Sequence, residues 1–99
     1  MAIIKPPPIA VLTLELYIPS AESLKDKRQV VKSIKERIKA HYNISIAEFG
    51  DTEKWQTATL AICTVGNDRR KLGQTLQAIL NKIDSWRQAD ITHQQIEYL

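Results

Sequence analysis

The hydrophobic period of this chain changes along its length, and the order of the changes limits the folds that it can adopt. In residues 9–18, IAVLTLELYI, apolar residues recur at every second position, with Leu12, Leu14 and Leu16 on one face. A period of two is typical of a strand that buries one face. Pro19 ends this strand, because proline cannot donate a ladder hydrogen bond.

The following segment has the period of an amphipathic helix. Ser23 and Asp26 have the spacing of an N-cap residue and its N3 partner, a capping-box variant with Asp in place of Glu. An apolar stripe at helical spacing consists of Leu24, Val30, Val31, Ile34 and Ile38. The pattern predicts a helix that starts at Ser23 and ends near His41.

Two more strands, a second helix and a last strand complete the pattern. Residues 43–50 and 55–65 predict strands, and the short, turn-rich connection between them predicts a hairpin. Residues 68–87 contain a second apolar stripe, which Trp86 continues, and residues 91–99 give a weaker strand signal. The order βαββαβ, with right-handed crossovers, predicts an α+β ferredoxin-like sandwich, in which a four-stranded antiparallel sheet has both helices on one face.

Length and composition favour one small domain. We assign residues 1–8, which include Pro6, Pro7 and Pro8, to an extended proline-rich arm and residues 9–99 to a single folded domain. The single cysteine excludes an intramolecular disulfide. The first residues lack the apolar region of a signal peptide, and no apolar run reaches the ~18 residues of a membrane span. We therefore expect a cytoplasmic protein without a membrane partner.

Positive charge is concentrated in the first predicted helix. Residues 24–41 contain seven of the fourteen Lys and Arg residues but only two of the eleven acids, a net charge of +5, whereas the remainder carries −2. At intervals of 3, 4, 3 and 4 residues, one stripe about 20 Å long contains Lys25, Arg28, Lys32, Lys35 and Lys39. Such a stripe is compatible with a phosphate backbone, with an acidic protein partner, and with a merely solvated face.

The start of this helix adds cations where free backbone N–H groups already favour anions. We therefore predict a site for an anion or nucleic acid that consists of Lys25, Lys27, Arg28, Lys32, Lys35 and Lys39. By its angle on the helix, Lys27 lies close to the apolar stripe, so we expect its stem at the edge of the core and its ammonium reaching outward. Glu22 and Asp26 are near enough in sequence to pair with two of the cations instead.

The face of the predicted sheet opposite the helices is a second candidate surface. We expect on it Val11, Thr13, Glu15, Tyr17, Trp55, Thr57, Thr59, Ala61 and Cys63. RNA-recognition motifs share this strand order, but the third strand here, WQTATLAICTV, lacks their aromatic signature. A small, weakly apolar face is typical of subunit contacts, so we predict a homodimer.

The sequence contains no recognisable catalytic or metal-binding constellation. His41 and His93 are isolated, whereas a zinc site needs three or four convergent ligands. An acylphosphatase needs a glycine-rich phosphate cradle before the first helix, where this chain has PSAE. We expect Cys63 to be buried and inert, and Glu15 to be either exposed on the open face or paired with a partner subunit or a ligand. We therefore predict neither an enzyme nor a bound cofactor.

Four short strings resemble a known family. They are IP at residues 18–19, SLKDKR at 23–28, AEFGD at 47–51 and WQTA at 55–58. Together they resemble the YlxP-like family, a bacterial family of domains of unknown function (number five-zero-three), over about residues 9–99. The resemblance implies a ferredoxin-like fold and no known activity. Family members are often encoded beside translation initiation factor two and ribosome-binding factor A, which implies an association with ribosomes or RNA.

Two functional hypotheses follow from these observations. In the first, the chain is a small binding module for RNA or ribosomes that uses the basic first helix. In the second, it is an oligomeric small-ligand or regulatory domain that uses the open sheet face.

Overall fold

The computed structural model describes residues 3–99, so that residues 1–2 of the predicted arm lie outside the described part. Six elements follow one another along the chain: β1 (Ile9–Tyr17), α1 (Leu24–His41), β2 (Ser45–Phe49), β3 (Thr57–Val65), α2 (Arg69–Trp86) and β4 (Asp90–Tyr98). The predicted βαββαβ order is confirmed. Within residues 3–99, neither helix is both long enough and apolar enough to cross a membrane.

The four strands form one antiparallel sheet in the order β2-β3-β1-β4. β1 is central and pairs with β3 over its whole length, from Ile9 opposite Val65 to Tyr17 opposite Thr57. On its other side β1 pairs with β4, and the register shifts between Glu15 and Leu16. The predicted hairpin is confirmed, because β2 pairs directly with β3.

The core lies between the two helices and one face of the sheet. Buried and half-buried residues alternate along β1 and β3, because successive side chains of a strand point to opposite faces. One cluster joins the helices to the sheet and contains, among others, Leu12, Leu14, Leu16, Leu60, Ile62, Ile34, Ile38, Leu76 and Ile79. The sheet therefore buries one face under both helices, as predicted, and no helix covers its other face.

Both helices begin at the caps that their sequences favour. The Ser23 hydroxyl accepts the Asp26 N–H at 3.1 Å, and the Asp26 carboxylate accepts the Glu22 N–H at 3.0 Å. The first bond satisfies a donor that the first turn of a helix leaves free, and the second fixes the chain that enters the helix. At α2, the Asp68 carboxylate accepts the N–H groups of Arg70 and Lys71.

The boundaries of two strands differ from the prediction. β2 is shorter than residues 43–50, and β3 begins at Thr57, two residues later than predicted. Trp55 lies in the bend before β3 and is 59% exposed, so the prediction that it belongs to the third strand is wrong. Just before β3, the carbonyl of Gln56 accepts the Ile18 N–H at 2.7 Å, and the Gln56 side chain leaves the sheet to donate to the carbonyl of Ala21 at 3.2 Å.

Candidate anion-binding groove on helix α1

Four cations of α1 line one groove beside β2. The groove has a volume of about 320 Å³ and is lined by Arg28, Val31, Lys32, Lys35, Glu36, Lys39 and Glu48. The cations recur at intervals of 4, 3 and 4 residues, so the helical period places them on one side of α1. Between the first and the last of them the helix rises about 16 Å. The structure therefore brings together four of the six cations that the sequence predicted.

The groove has a surplus of positive charge. Its two acids are Glu36, which lies 4.0 Å from the ammonium of Lys32, and Glu48, which pairs with the buried ammonium of Lys27. In the described part of the chain, Lys35 and Lys39 have no carboxylate within ion-pair distance. Two of the four cations are thus available to an external anion without any bond being broken.

Arg28 stands at one end of the groove and has a weak partner. Its guanidinium lies 3.7 Å from the carboxylate of Glu53, in the connection between β2 and β3, and both side chains are exposed. Exposed pairs of this kind contribute about 0–1 kcal/mol, so an incoming phosphate can replace Glu53 at little cost. Lys25 is also exposed but lies outside the lining of the groove.

Lys27 does not belong to this site. Its side chain is fully buried, and its ammonium donates to Glu48 Oε2 at 2.9 Å and to the carbonyl oxygen of Thr52 at 2.7 Å. The prediction that this ammonium reaches outward to bind an anion is wrong. Lys27 lies four residues before Val31 and seven before Ile34, which places it on the buried face of the helix. A charge in that position requires internal acceptors, because burial without them is very costly.

The buried pair of Lys27 and Glu48 fixes the two elements that border the groove. It joins α1 to β2 through Glu48 and to the β2–β3 connection through Thr52. Glu48 also lines the groove, so Lys27 neutralises an acid that would otherwise repel an anion there. Sequence reasoning missed this role, although two signals existed: Lys27 shares the period of the apolar stripe, and Glu48 is a carboxylate within a strand.

The open sheet face contains the predicted residues that lie in β1 and β3, which leaves out Trp55. Val11, Thr13, Glu15 and Tyr17 of β1 alternate with buried residues, as do Thr57 and Thr59 of β3, and Ala61 and Cys63 follow them. The registers add six residues that the sequence analysis did not assign to this face: Ser45, Ala47, Phe49, His93, Gln95 and Glu97. Most of the face is polar, and its exposed large apolar side chains are Val65, Phe49 and Tyr17.

Glu15 is paired within its own chain. Its carboxylate accepts the Thr92 hydroxyl at 3.0 Å, and His93 Nδ1 lies 3.5 Å from the same oxygen. Thr92 lies where the register between β1 and β4 shifts, and this shift brings its hydroxyl to Glu15. These partners explain a carboxylate in a central strand, although half of it remains accessible. Cys63, expected to be buried, is half-buried with a free thiol.

The described residues contain no group of three His, Cys, Asp or Glu side chains that converge as metal ligands. The lining of the groove supplies fixed positive charge. Its lysines and arginine can donate hydrogen bonds to anionic oxygens, and charge-assisted bonds of this kind are about twice as strong as neutral ones.

Comparisons with known proteins agree with the resemblance noted in the sequence. The model of a family described as "Protein of unknown function (DUF503)" matches residues 9–96. The "Uncharacterized protein YlxP" of Bacillus subtilis (strain 168) is 36% identical over 84 residues, which cover 85% of this chain and 91% of that protein. The "De novo designed protein Foldit4" superposes with a TM-score of 0.53 at 13% identity, over 93% of this chain and 96% of that one, and shows likeness of fold alone. The family match and the bacterial relative show that this chain belongs to the DUF503, or YlxP-like, family.

Proposed function

We propose that this protein is a non-enzymatic binding module that acts in the cytoplasm and holds RNA, free or in ribosomes, in the groove on α1. One observation supports the proposal most strongly: four cations line a single groove in which Lys35 and Lys39 have no carboxylate partner among the described residues. A helix exposed only for solubility commonly interleaves Glu with Lys at i,i+4 spacing. In α1, the pair of Lys32 and Glu36 alone has that arrangement.

The physical basis of the proposal is electrostatic. Cations that neutralise phosphates release condensed counterions, so that affinity falls steeply as the salt concentration rises. The groove presents its cations from a helix whose adjacent face is packed into the core. The gene neighbourhood typical of the family suggests ribosomal RNA as the source of the phosphates.

The experiment is a binding titration with ribosomal RNA and with ribosomes over a range of salt concentrations. It compares the wild type with the variant Lys32→Glu/Lys35→Glu/Lys39→Glu. A matched control, Arg70→Glu/Lys71→Glu/Lys82→Glu, changes the net charge equally at exposed positions of α2 outside the groove.

We expect salt-dependent binding that the groove variant loses and the α2 variant largely retains. If both variants lose binding equally, net charge and not the groove is responsible, and the proposal fails. It fails also if the wild type binds neither ribosomal RNA nor ribosomes at any of the salt concentrations.

A second candidate function is an oligomeric regulatory domain that buries the open sheet face against a second copy. The observation in its favour is the pair Tyr17 and Phe49, 38% and 46% exposed, which flank the start of β3 on that face. Sedimentation analysis tests it directly. A dimer that Phe49→Ser dissociates supports this candidate, and a monomer at micromolar concentration removes it.

A further inference from the structure

The groove lacks the side chains with which proteins hold single-stranded nucleic acid. Its lining contains charged residues and one valine, but no aromatic ring, amide or hydroxyl. Single strands are bound by stacking their bases on aromatic side chains beside a positive groove. Sequence in unpaired RNA is read by stacking and by hydrogen bonds to exposed base edges. The groove offers the positive charge without the stacking surfaces.

Three aromatic side chains, of β2, of α2 and of the end of α1, are directed elsewhere. Phe49 shares the open sheet face with its register partner Thr59, on the other side of β2 from Glu48. Tyr42, at the end of α1, packs against the core. Trp86 also packs there, and the guanidinium of Arg37 covers its ring at 4.0 Å. An unpaired base in the groove therefore has no ring among the lining residues against which to stack.

The arrangement of the cations suits a continuous and rigid row of phosphates. Arg28 and Lys39 are separated by about 16 Å of helix, and α1 is fixed along this length by its buried face. A base-paired RNA segment presents such a row, and proteins recognise it mostly through its shape, phosphates and 2′-hydroxyls. Its deep and narrow major groove keeps the base edges away from side chains such as Arg28.

We propose that the groove on α1 contacts the sugar–phosphate backbone of a base-paired RNA segment and does not distinguish its base sequence. This inference rests on the proposed function, because it specifies the conformation of the RNA that the same groove holds. Four contacts, from Arg28, Lys32, Lys35 and Lys39, then determine the salt dependence of binding. The expected slope of log K against log salt concentration is about −3 to −4.

The test uses fluorescence anisotropy with labelled RNA. Two duplexes of unrelated sequence, each of about 16 base pairs as in double-stranded RNA sites, are compared with unstructured single strands that carry the same number of phosphates. We expect the duplexes to differ by less than about threefold, because one specific base contact produces about fivefold or more. We expect the single strands to bind more weakly than either duplex. Lys35→Glu/Lys39→Glu is measured on every RNA, with Lys71→Glu/Lys82→Glu as the control of equal charge.

Two kinds of failure are distinguishable. A preference of about tenfold between the duplexes, or tighter binding of single strands, overturns this inference. If the groove variant still loses RNA binding while the control of equal charge retains it, the proposed function stands although this inference is overturned. If no RNA binds, or if the groove variant and the control bind alike, the proposed function fails and this inference fails with it.

Discussion

Lys27 and Lys35 belong to the same helix and have the same side chain, yet the fold uses them in opposite ways. Lys27 is fully buried and donates to Glu48 and Thr52, whereas Lys35 lines an open groove without a carboxylate partner in the described chain. Eight residues separate them, which turns their directions apart by about 80° around the helix axis. The function of a lysine in this helix therefore depends on its angle and not on its chemistry.

This difference separates the residues that hold the domain together from those available to a ligand. The buried ammonium fixes α1 to β2 and to the β2–β3 connection, so its loss should affect stability first. The groove cations contribute little to folding, so their loss should affect binding first. Each substitution below tests whether stability and binding depend on these different residues.

The largest effect is expected at the buried lysine. Lys27→Met removes the charged partner of Glu48 and leaves that carboxylate largely enclosed. Removing one member of a buried pair typically lowers the free energy of unfolding by about 3–5 kcal/mol. Urea denaturation measures this loss, and Lys35→Met, as the control, should stay within about 0.5 kcal/mol of the wild type. Equal losses in the two variants would contradict the comparison.

A double substitution sharpens the interpretation of this loss. In Lys27→Met/Glu48→Leu no charge remains unpaired, and apolar replacements of buried pairs are often neutral or stabilising. We expect the double variant to recover about 2 kcal/mol or more of the loss, although the carbonyl of Thr52 still lacks its donor. A double variant less stable than Lys27→Met would show that the pair is not the source of the effect.

The structure confirms the predictions that depend on local sequence. The alternation in β1 and the Ser23 cap of α1 need only neighbouring residues, and both are present. The partners of Lys27 lie 21 and 25 residues away, and Thr92 lies 77 residues from Glu15. Such contacts depend on how the elements pack, so the period of the helix indicated that Lys27 was near the core but not what would receive its ammonium.

Predictions about the surfaces likewise succeed where they depend on one helix and fail where they depend on how elements pack. The spacing of the cations was sufficient to place Lys32, Lys35 and Lys39 together, because it is a property of one helix. It was not sufficient to exclude Lys25 from the groove, because β2 determines where the groove lies. RNA binding and the homodimer stay predictions.

A smaller effect is expected in the groove. Lys35→Glu/Lys39→Glu should weaken RNA binding by about tenfold or more at low salt and reduce the salt slope by about 2, because two phosphate contacts are lost. Its unfolding curve in urea should match that of the wild type. A large loss of stability would show that these lysines, like Lys27, stabilise the fold and are not reserved for a ligand.

The smallest effect is expected at the mouth of the groove. Glu53→Gln releases Arg28 from its exposed partner at 3.7 Å and should change the free energy of unfolding by less than about 1 kcal/mol. RNA affinity should rise slightly, because Arg28 no longer has to release the Glu53 carboxylate before it binds a phosphate. Weaker binding would contradict a role for Glu53 as a competitor of phosphate. Glu22→Gln, which removes an exposed acid outside the groove, is the matched control.

The most direct test of the central claim is to map where RNA touches the protein. Backbone amide chemical shifts of the isotope-labelled protein, recorded by NMR during titration with a short RNA duplex, distinguish the two candidate surfaces. We predict the largest changes in α1 between Arg28 and Lys39, the segment that supplies the groove cations, and at Glu48, which also lines the groove. Changes concentrated on Thr13, Thr59 and Gln95 of the open sheet face would contradict the account.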